Sequence, residues 1–387
     1  MNYKISHPTK VVNCEIDLPS SKSISNRLLI IQSLCKENFM IENLSDSDDT
    51  KILELAINSQ SNLIDVGAAG TTFRFLTSYL STLVGEEFIL TGSERMKERP
   101  IKELVDSLKE LDAQIEYIEE ENFPPLKIKG AKLKGKKIKI DGSVSSQFIS
   151  SILLVSPTIK GGLELEINGD LVSKPYVLMT LKLMSEFGIN WDWTENKIKI
   201  VEQNYLSKNY KVESDWSAAT FWFQIASLSD NCNIKLNGLA ETSIQGDKEV
   251  RSFFKNLGVE SEFVNNQLFL TKIPEATFPE KVDFIETPDI YQSLKCTLFA
   301  KGISPEISGL QTLKDKETNR ISAVENELKK LDQSKIIETY NDHRMAMSFA
   351  PLCLKFEELQ INNPEVVSKS YPNFWEDLKK GGFKISF

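Results

Sequence analysis

Residues 13–34 read NCEIDLPSSKSISNRLLIIQSL, in which a strand-like apolar run, a polar turn and a second apolar run follow one another. The turn at residues 19–27, PSSKSISNR, holds four serines together with Lys22 and Arg27. Serine-rich segments are common in surface turns, so this stretch alone is typical of a solvated turn. Its interpretation therefore depends on whether the same arrangement recurs along the chain.

Five other stretches repeat the order of strand-like run, polar turn and helix-like apolar run. They are VGAAGTTFRFLTSYL from Val66, IDGSVSSQFISSILL from Ile140, VESDWSAATFWFQIASL from Val212, IETPDIYQSLKCTLFA from Ile285 and TYNDHRMAMSFAPLCL from Thr339. Successive intervals of 48, 74, 72, 73 and 54 residues separate the landmarks Pro19, Gly67, Asp141, Glu213, Glu286 and Tyr340. The spacing predicts an α/β protein of six repeated units, two of them shortened, in two pseudo-symmetric halves.

The composition limits the class of protein and the kind of ligand. A chain of 387 residues suggests two domains, and 41% hydrophobic and 26% charged residues are typical of globular proteins. No apolar run reaches ~18 residues, and the opening MNYKISHPTK lacks a signal-peptide core. We therefore expect a cytoplasmic protein without a membrane span.

Charge and cysteine usage exclude further classes. The formal net charge of −9 disfavours general nucleic-acid binding. With two histidines in the whole chain, a histidine-rich metal site is not expected. The five cysteines are scattered and never form a CxxC pair, which favours buried reduced thiols over disulfides.

Each polar turn is expected to open a helix, whose first N–H groups attract phosphate or carboxylate. Cations that suit such an anion lie in or next to these turns at Arg74, Arg99, Lys316, Arg320 and Arg344. In the stretch KDKETNR at 314–320, a helix would place Lys316 and Arg320 on one face. Glu317 and Asp289 are carboxylates near these cations, as a proton-transfer site requires. An ordinary salt-bridged helix face remains the alternative interpretation of Lys316, Glu317 and Arg320.

Several familiar motifs are absent. PSSKS is not a Walker A loop, GAAGTT lacks the spacing of a dinucleotide-binding turn, and neither G-x-S-x-G nor H-E-x-x-H occurs. Instead, seven segments in order resemble signatures of the 5-enolpyruvylshikimate-3-phosphate synthase family, and they extend from residue 18 to Lys369. They are LPSSKSISNR, GTTFR, LTGSERMKERPI, DGSVSSQF, LVSKPY, KETNR and TYNDHRMAMSF.

The resemblance implies a fold and a reaction. The fold is an enolpyruvyl-transferase inside-out α/β barrel of two domains, each with about three βαβαββ units. One domain would hold residues 1–16 and 214–387, the other 17–213, with crossovers near 14–18 and 211–215. The enzyme would transfer the enolpyruvyl group of phosphoenolpyruvate to the 5-hydroxyl of shikimate 3-phosphate and release phosphate through a tetrahedral intermediate. No cofactor or metal is implied, and we expect a monomer that closes on its small-molecule substrates, with neither nucleic acid nor membrane as a partner.

The resemblance also implies roles for individual residues. Shikimate 3-phosphate would be bound by Lys22, Ser23, Arg27, Ser145, Ser146, Ser173, Tyr176, Asp289 and Lys316. Phosphoenolpyruvate would be bound by Lys22, Gly70, Arg99, Gln147, Arg320, Arg344 and Lys369. Asp289 would accept the proton of the 5-hydroxyl, while Glu317 and Lys22 would handle the protons at the methylene carbon and at the leaving phosphate.

The chain departs from the family pattern at several positions, and two other functions remain open. Ser20 replaces a glycine, Ala68 and Ala69 replace polar residues before Gly70, and Phe75 stands where Pro or Leu is usual. With the shortened units, these departures leave open an impaired paralogue that binds shikimate 3-phosphate without turnover. The other alternative, UDP-N-acetylglucosamine enolpyruvyl transferase, is disfavoured because the loop SERMKERP lacks that enzyme's cysteine.

Overall fold

The computed structural model of the protein describes residues 2–143 and 145–387. Its strands, within these residues, are β1 Asn2–Ser6, β2 Val11–Asp17, β3 Ile41–Glu42, β4 Leu63–Asp65, β5 Glu87–Thr91, β6 Gln114–Tyr117, β7 Leu126–Lys129, β8 Lys137–Asp141, β9 Leu163–Asn168, β10 Trp191–Thr194, β11 Lys197–Ile200, β12 Tyr210–Lys211, β13 Asn231–Asn237, β14 Val259–Val264, β15 Gln267–Lys272, β16 Lys281–Asp283, β17 Glu306–Ser308, β18 Ile336–Ile337, β19 Glu358–Asn362 and β20 Lys384–Ser386. Its α-helices, within the same residues, are α1 Lys22–Leu34, α2 Asp48–Ile57, α3 Gly70–Ser81, α4 Glu94–Lys97, α5 Lys102–Glu110, α6 Ser146–Val155, α7 Lys174–Glu186, α8 Trp216–Leu228, α9 Val250–Lys255, α10 Tyr291–Ala300, α11 Arg320–Lys330, α12 His343–Phe349, α13 Cys353–Phe356 and α14 Phe374–Lys380. Short 3₁₀ helices occupy Ser156–Thr158, Gly246–Glu249, Pro288–Ile290, Gln311–Leu313, Ala350–Leu352 and Pro364–Lys369.

The chain divides into two compact units. Unit 1 comprises Met1–Ser21 and Glu213–Phe387, and unit 2 comprises Lys22–Val212. In the described residues, each unit contains two four-stranded sheets and one two-stranded sheet. Most of the sheets are mixed, for example β13, which pairs parallel with β2 and antiparallel with β15. The α/β class and its division into two similar halves are thus confirmed.

Each of the two shortest landmark intervals contains one short strand of a two-stranded sheet. The 48-residue interval holds β3, which pairs in parallel with β12 through only two residues. The 54-residue interval holds β17, which pairs in parallel with β16 through three residues. Fewer residues between helices leave room for fewer strands, so the shortening predicted from the spacing is visible as narrower sheets.

The six predicted turns open the central helices of the two units, with a short 3₁₀ turn preceding one of them. In unit 2, α1, α3 and α6 contact one another, and in unit 1, α8, α10 and α12 do the same. Nearly every residue of α3, α6, α8 and α12 is buried. Helices buried on nearly all sides are enclosed by other elements, and here each helix triad lies in the interior of its own unit. This is the inside-out arrangement that the family resemblance implies.

Side-chain caps fix where several of these helices begin. Asp215 accepts a hydrogen bond from Ser217 N at 2.7 Å at the start of α8, and Asp342 accepts one from Arg344 N at 2.9 Å at the start of α12. Such caps satisfy N–H groups that the helix leaves unpaired. In the described part of the chain, no helix combines the length and apolar character needed to cross a bilayer.

Candidate functional site

The turn at residues 19–27 forms the entry to α1, with Lys22 as the first helical residue. The Lys22 Nζ forms an ion pair with Asp49 Oδ2 at 3.1 Å. Asp49 lies in α2 and is almost fully buried, and Thr72 of α3 donates a hydrogen bond to its backbone carbonyl at 2.8 Å. The Lys22 side chain is thus held in place by neighbouring helices of unit 2.

Arg27 lies one helical turn further along α1 and is only 2% exposed. Its Nε donates to Thr180 Oγ1 at 2.7 Å, and its Nη1 donates to the Ser23 carbonyl at 2.8 Å. Its Nη2 donates to Ser150 Oγ at 3.2 Å and to the Tyr176 carbonyl at 3.3 Å. All four acceptors are uncharged, and burial lowers the pKa of Arg27 to about 10. A buried cation surrounded by neutral acceptors is suited to receive an anion.

Gly70 opens α3 where two arginines approach its backbone closely. Arg74 Nη1 donates to the Gly70 carbonyl at 2.9 Å. A Cβ atom at Gly70 would collide with Nη1 of Arg99, which is itself buried. Glycine is therefore required at this position if Arg99 is to stay where it is.

The other predicted residues of unit 2 lie at the starts of α6 and α7. Ser145 caps α6 by accepting from Gln147 N at 3.3 Å, and the Gln147 Nε2 donates to Thr71 Oγ1 of α3 at 3.0 Å. Ser146 and Ser173 are both buried. Ser173 precedes α7 with a φ of 56°, a left-handed conformation. Within the described residues, hydrogen bonds join Ser23 and Tyr176 to Arg27 but do not join Ser146 or Ser173 to it.

In unit 1, Arg320 is the centre of a buried ion-pair cluster. Its Nε lies 2.7 Å from Asp342 Oδ2, its Nη1 lies 3.1 Å from Asp289 Oδ1, and its Nη2 lies 2.8 Å from Glu317 Oε2. Burial would lower the pKa of Arg320, but these three carboxylates outweigh it and raise that pKa. Arg320 therefore orients three carboxylates at once.

Two further predicted cations complete this cluster. Arg344 Nη2 lies 3.1 Å from Asp289 Oδ2, and its Nη1 donates to the Asp289 carbonyl at 2.8 Å. Lys369 Nζ lies 2.9 Å from Glu317 Oε1. Three cations and three carboxylates thus share one hydrogen-bonded group. The structure brings together four of the predicted residues around Arg320, namely Asp289, Glu317, Arg344 and Lys369.

The prediction that Lys316 and Arg320 share a helix face is wrong. Arg320 is the first residue of α11, while Lys316 lies in the preceding bend. Asn319 caps the helix by accepting from Ser322 N at 3.3 Å, which sets the helix start after Lys316. Lys316 is half-buried at this bend.

Sequence reasoning missed three acidic residues that support these groups. Asp49 holds Lys22, and its signal was the pair of acidic residues that opens α2. Asp342 binds Arg320, and its signal was its capping position within YNDHRMAM. Asp247 is buried and accepts a hydrogen bond from Ser217 Oγ. Burial, with a further contribution from the nearby Asp289 carboxylate, raises the pKa of Asp247 to about 7.

No cluster of three or more His, Cys, Asp or Glu residues among those described is arranged to hold a metal ion. The cysteines of the described chain are free thiols, and burial raises the pKa of Cys353 to about 12 and that of Cys35 to about 11.

Comparisons with known proteins agree along the whole chain. Residues 52–378 match the family model described as EPSP synthase (3-phosphoshikimate 1-carboxyvinyltransferase). A 3-phosphoshikimate 1-carboxyvinyltransferase of Bacteroides fragilis is 44% identical, covering 100% of this chain and 99% of the relative. One from Psychromonas ingrahamii is 35% identical over 98% of this chain and 99% of the relative. The EPSP synthase of Acinetobacter baumannii has a similar fold, with a TM-score of 0.78 at 20% identity and full coverage of both chains.

Proposed function

The chain belongs to the EPSP synthase family, and on that premise we propose that it transfers the enolpyruvyl group of phosphoenolpyruvate to the 5-hydroxyl of shikimate 3-phosphate. The reaction proceeds by addition and then elimination of phosphate through a tetrahedral intermediate. The transfer as a whole is a step of the shikimate route to aromatic amino acids. The observation that carries the proposal is the Arg320 cluster, in which the predicted proton-transfer carboxylates contact the predicted phosphoenolpyruvate-binding cations.

Both substrates are anions that repel each other, so cations must hold them together. In the proposal, shikimate 3-phosphate is bound by Lys22, Ser23, Arg27, Ser145, Ser146, Ser173, Tyr176, Asp289 and Lys316. Phosphoenolpyruvate is bound by Lys22, Gly70, Arg99, Gln147, Arg320, Arg344 and Lys369. Arg27 is buried and, among the described residues, donates to neutral acceptors alone. It supports the first assignment because an anionic ligand would supply a counter-charge.

Proton transfer is assigned to three groups. Glu317 protonates the methylene carbon, which makes the neighbouring alkene carbon electrophilic, and Asp289 takes the proton of the 5-hydroxyl as it attacks. In the elimination, Lys22 assists departure of phosphate by donating to it, and the Glu317 carboxylate takes a proton back from the methyl group.

A carboxylate bound by two guanidinium groups accepts a proton poorly. The proposal therefore requires the phosphoenolpyruvate anion to draw Arg320 and Arg344 away from Asp289. For the same reason it must draw Arg320 and Lys369 away from Glu317, which has to be protonated before it can donate.

A phosphate-release assay, with each substrate omitted in turn, tests the reaction. We expect release only when both substrates are present, and Glu317→Gln should lower kcat by about 100-fold or more while the fold persists. Glu325→Gln, an exposed change in the same α11 helix, is the matched control and should retain full activity. Binding of shikimate 3-phosphate without any turnover by the wild-type chain would contradict the proposal.

A matched pair of lysine variants tests the assignment of Lys22. Lys22→Met should abolish phosphate release, because the cation that Asp49 holds at the start of α1 is removed. Lys36→Met, at an exposed position just beyond the same helix, should not change it. Near-normal turnover of Lys22→Met would remove Lys22 from the catalytic assignment.

Three further predictions concern the chain as a whole. The cytoplasmic location, the monomeric state and the domain boundaries at 1–16 with 214–387 and at 17–213 stay predictions. Size-exclusion chromatography with light scattering tests the monomer, and limited proteolysis tests the domain boundaries. Cell fractionation tests the location.

A further inference from the structure

We propose that Phe75 is a positioning residue for shikimate 3-phosphate, because its ring holds the guanidinium plane of Arg27 in the orientation that the ligand requires. The Cζ atom of Arg27 lies 5.4 Å from the centroid of the Phe75 ring. Phe75 belongs to α3 and is 1% exposed, so the ring is fixed by its surroundings. The inference rests on the proposed function, since it concerns how one of its substrates is bound.

The hydrogen bonds of Arg27 leave one donor for a ligand. A guanidinium group carries five N–H bonds. Within the described residues, Thr180 takes the Nε–H, Ser150 and Tyr176 take the two on Nη2, and Ser23 takes one on Nη1. The second N–H on Nη1 has no acceptor there. The direction of this single N–H therefore decides whether an anionic oxygen can be bound well.

The acceptors of Arg27 do not by themselves fix that direction. Thr180 and Ser150 accept through hydroxyl groups, which rotate, and the two bonds from Nη2 are long at 3.2 and 3.3 Å. These bonds lie along the edges of the guanidinium, whereas tilting of its plane is resisted by what covers its face. The Arg27 guanidinium carbon lies over the face of the Phe75 ring, and the ring attracts the cation and limits its movement. Loss of the ring should therefore let the plane tilt and turn the free N–H away from the ligand.

The position of Phe75 in the chain makes the contact informative. It lies in the same α3 helix as Arg74, whose own guanidinium carbon lies over the Phe148 ring at 5.7 Å from its centroid. Two successive residues of α3 thus contribute to two different cation–ring pairs, and the pair of Phe75 is the one that involves a residue assigned to shikimate 3-phosphate. Phe75, in place of the usual Pro or Leu, thus provides an aromatic ring that contacts Arg27.

Steady-state kinetics of the purified full-length protein tests the inference. Phe75→Leu keeps an apolar side chain but removes the aromatic face. We expect the KM for shikimate 3-phosphate to rise about three- to tenfold, with kcat and the KM for phosphoenolpyruvate within about twofold of wild type. Titration calorimetry with shikimate 3-phosphate alone should show the same loss of affinity.

Phe73→Leu is the matched control, because Phe73 is fully buried in the same helix and, in the described residues, stacks on no guanidinium. It should lose stability to a similar degree while keeping the wild-type KM for shikimate 3-phosphate. If Phe75→Leu does not remain folded, Phe75→Met provides the same comparison with a side chain of similar length.

The inference is overturned if Phe75→Leu, or Phe75→Met in its place, leaves the KM for shikimate 3-phosphate unchanged. It is also overturned if that variant changes both KM values alike, or behaves as Phe73→Leu does. These results would mean that Phe75 acts only by packing. Failure of the proposed function itself is distinguishable, because the wild-type chain would then neither bind nor turn over shikimate 3-phosphate.

Discussion

Arg27 in unit 2 and Arg320 in unit 1 are equally buried, at 2% and 3% exposure, but their surroundings are opposite. Arg27 meets hydroxyl and carbonyl oxygens, and burial lowers its pKa to about 10. Arg320 meets three carboxylates, which raise its pKa in spite of burial. Among the described residues, Arg27 has no carboxylate partner, whereas Arg320 has three carboxylate partners for its single positive charge.

The two buried arginines of this protein therefore serve different purposes. A buried charge without a counter-charge costs folding free energy, so it is retained where a ligand supplies the missing charge. A buried arginine with several carboxylates is already neutralised, and its role is to orient those carboxylates. A substitution of Arg320 should therefore mainly lower stability, whereas a substitution of Arg27 should mainly weaken ligand binding.

The largest effect is expected from Arg320→Met. Removal of the guanidinium leaves three carboxylates close together, and Asp342 has no solvent exposure through which to recover hydration. Breaking a buried ion pair from one side costs about 3–5 kcal/mol. Urea unfolding followed by circular dichroism at pH 7.5 should show a loss of this size in the free energy of unfolding. If Arg320→Met costs no more than Arg27→Met, the carboxylates around Arg320 do not make it more important for stability than Arg27.

The six central helices were predictable because each depends on local pattern. The six turns differ in sequence, yet each combines turn-forming residues with a following apolar run, and each precedes a central helix. Buried helices such as α8 are recognisable since almost every residue is apolar or small. The exact helix starts were less predictable, and the error at Lys316 arose because the Asn319 cap outweighs helix periodicity.

The individual ligand-binding roles came from the family resemblance, but their supporting partners did not. Asp49 and Lys22 are 27 residues apart, and Phe75 and Arg27 are 48 apart, so neither pairing follows from sequence spacing. Such contacts are decided by how helices pack across a unit, which periodicity does not encode. Asp247 is the same case, since its burial depends on the packing of unit 1.

A second effect, of about 4 kcal/mol, is expected from Asp247→Asn and depends on pH. Burial, then the Asp289 carboxylate, raises the pKa of Asp247 from 3.8 to about 7, while Asp215 adds to the rise and Arg344 and Ser217 oppose it. Between these values the folded protein retains a proton that the unfolded chain has lost. Wild-type stability therefore falls as pH rises through this window, and the amide variant escapes that fall.

The measurement for Asp247→Asn is the difference in unfolding free energy between variant and wild type from pH 4 to pH 8. This difference should shift in favour of the variant up to about pH 7 and then level off. Asp230→Asn, at an exposed position before β13, is the control and should give a difference that is flat over this range. A flat profile for Asp247→Asn would contradict the raised pKa of Asp247. It would mean that Arg344 offsets the effects of burial and of Asp289 on this carboxylate.

The smallest change in stability, within about 1 kcal/mol, is expected from Arg27→Met, and it is the most sensitive test of the comparison. Methionine fills much of the space of the arginine stem, and the desolvation cost of the unpaired charge disappears. The remaining hydroxyls stay hydrogen-bonded, because Thr180 Oγ1 donates to Ser150 at 2.9 Å or to the Tyr176 carbonyl at 2.9 Å. Affinity for shikimate 3-phosphate, measured by calorimetry, should nevertheless fall by about tenfold or more, since a charged hydrogen bond contributes about 1.5–3 kcal/mol. A large loss of stability with unchanged affinity would mean that Arg27, like Arg320, serves the fold and not the ligand.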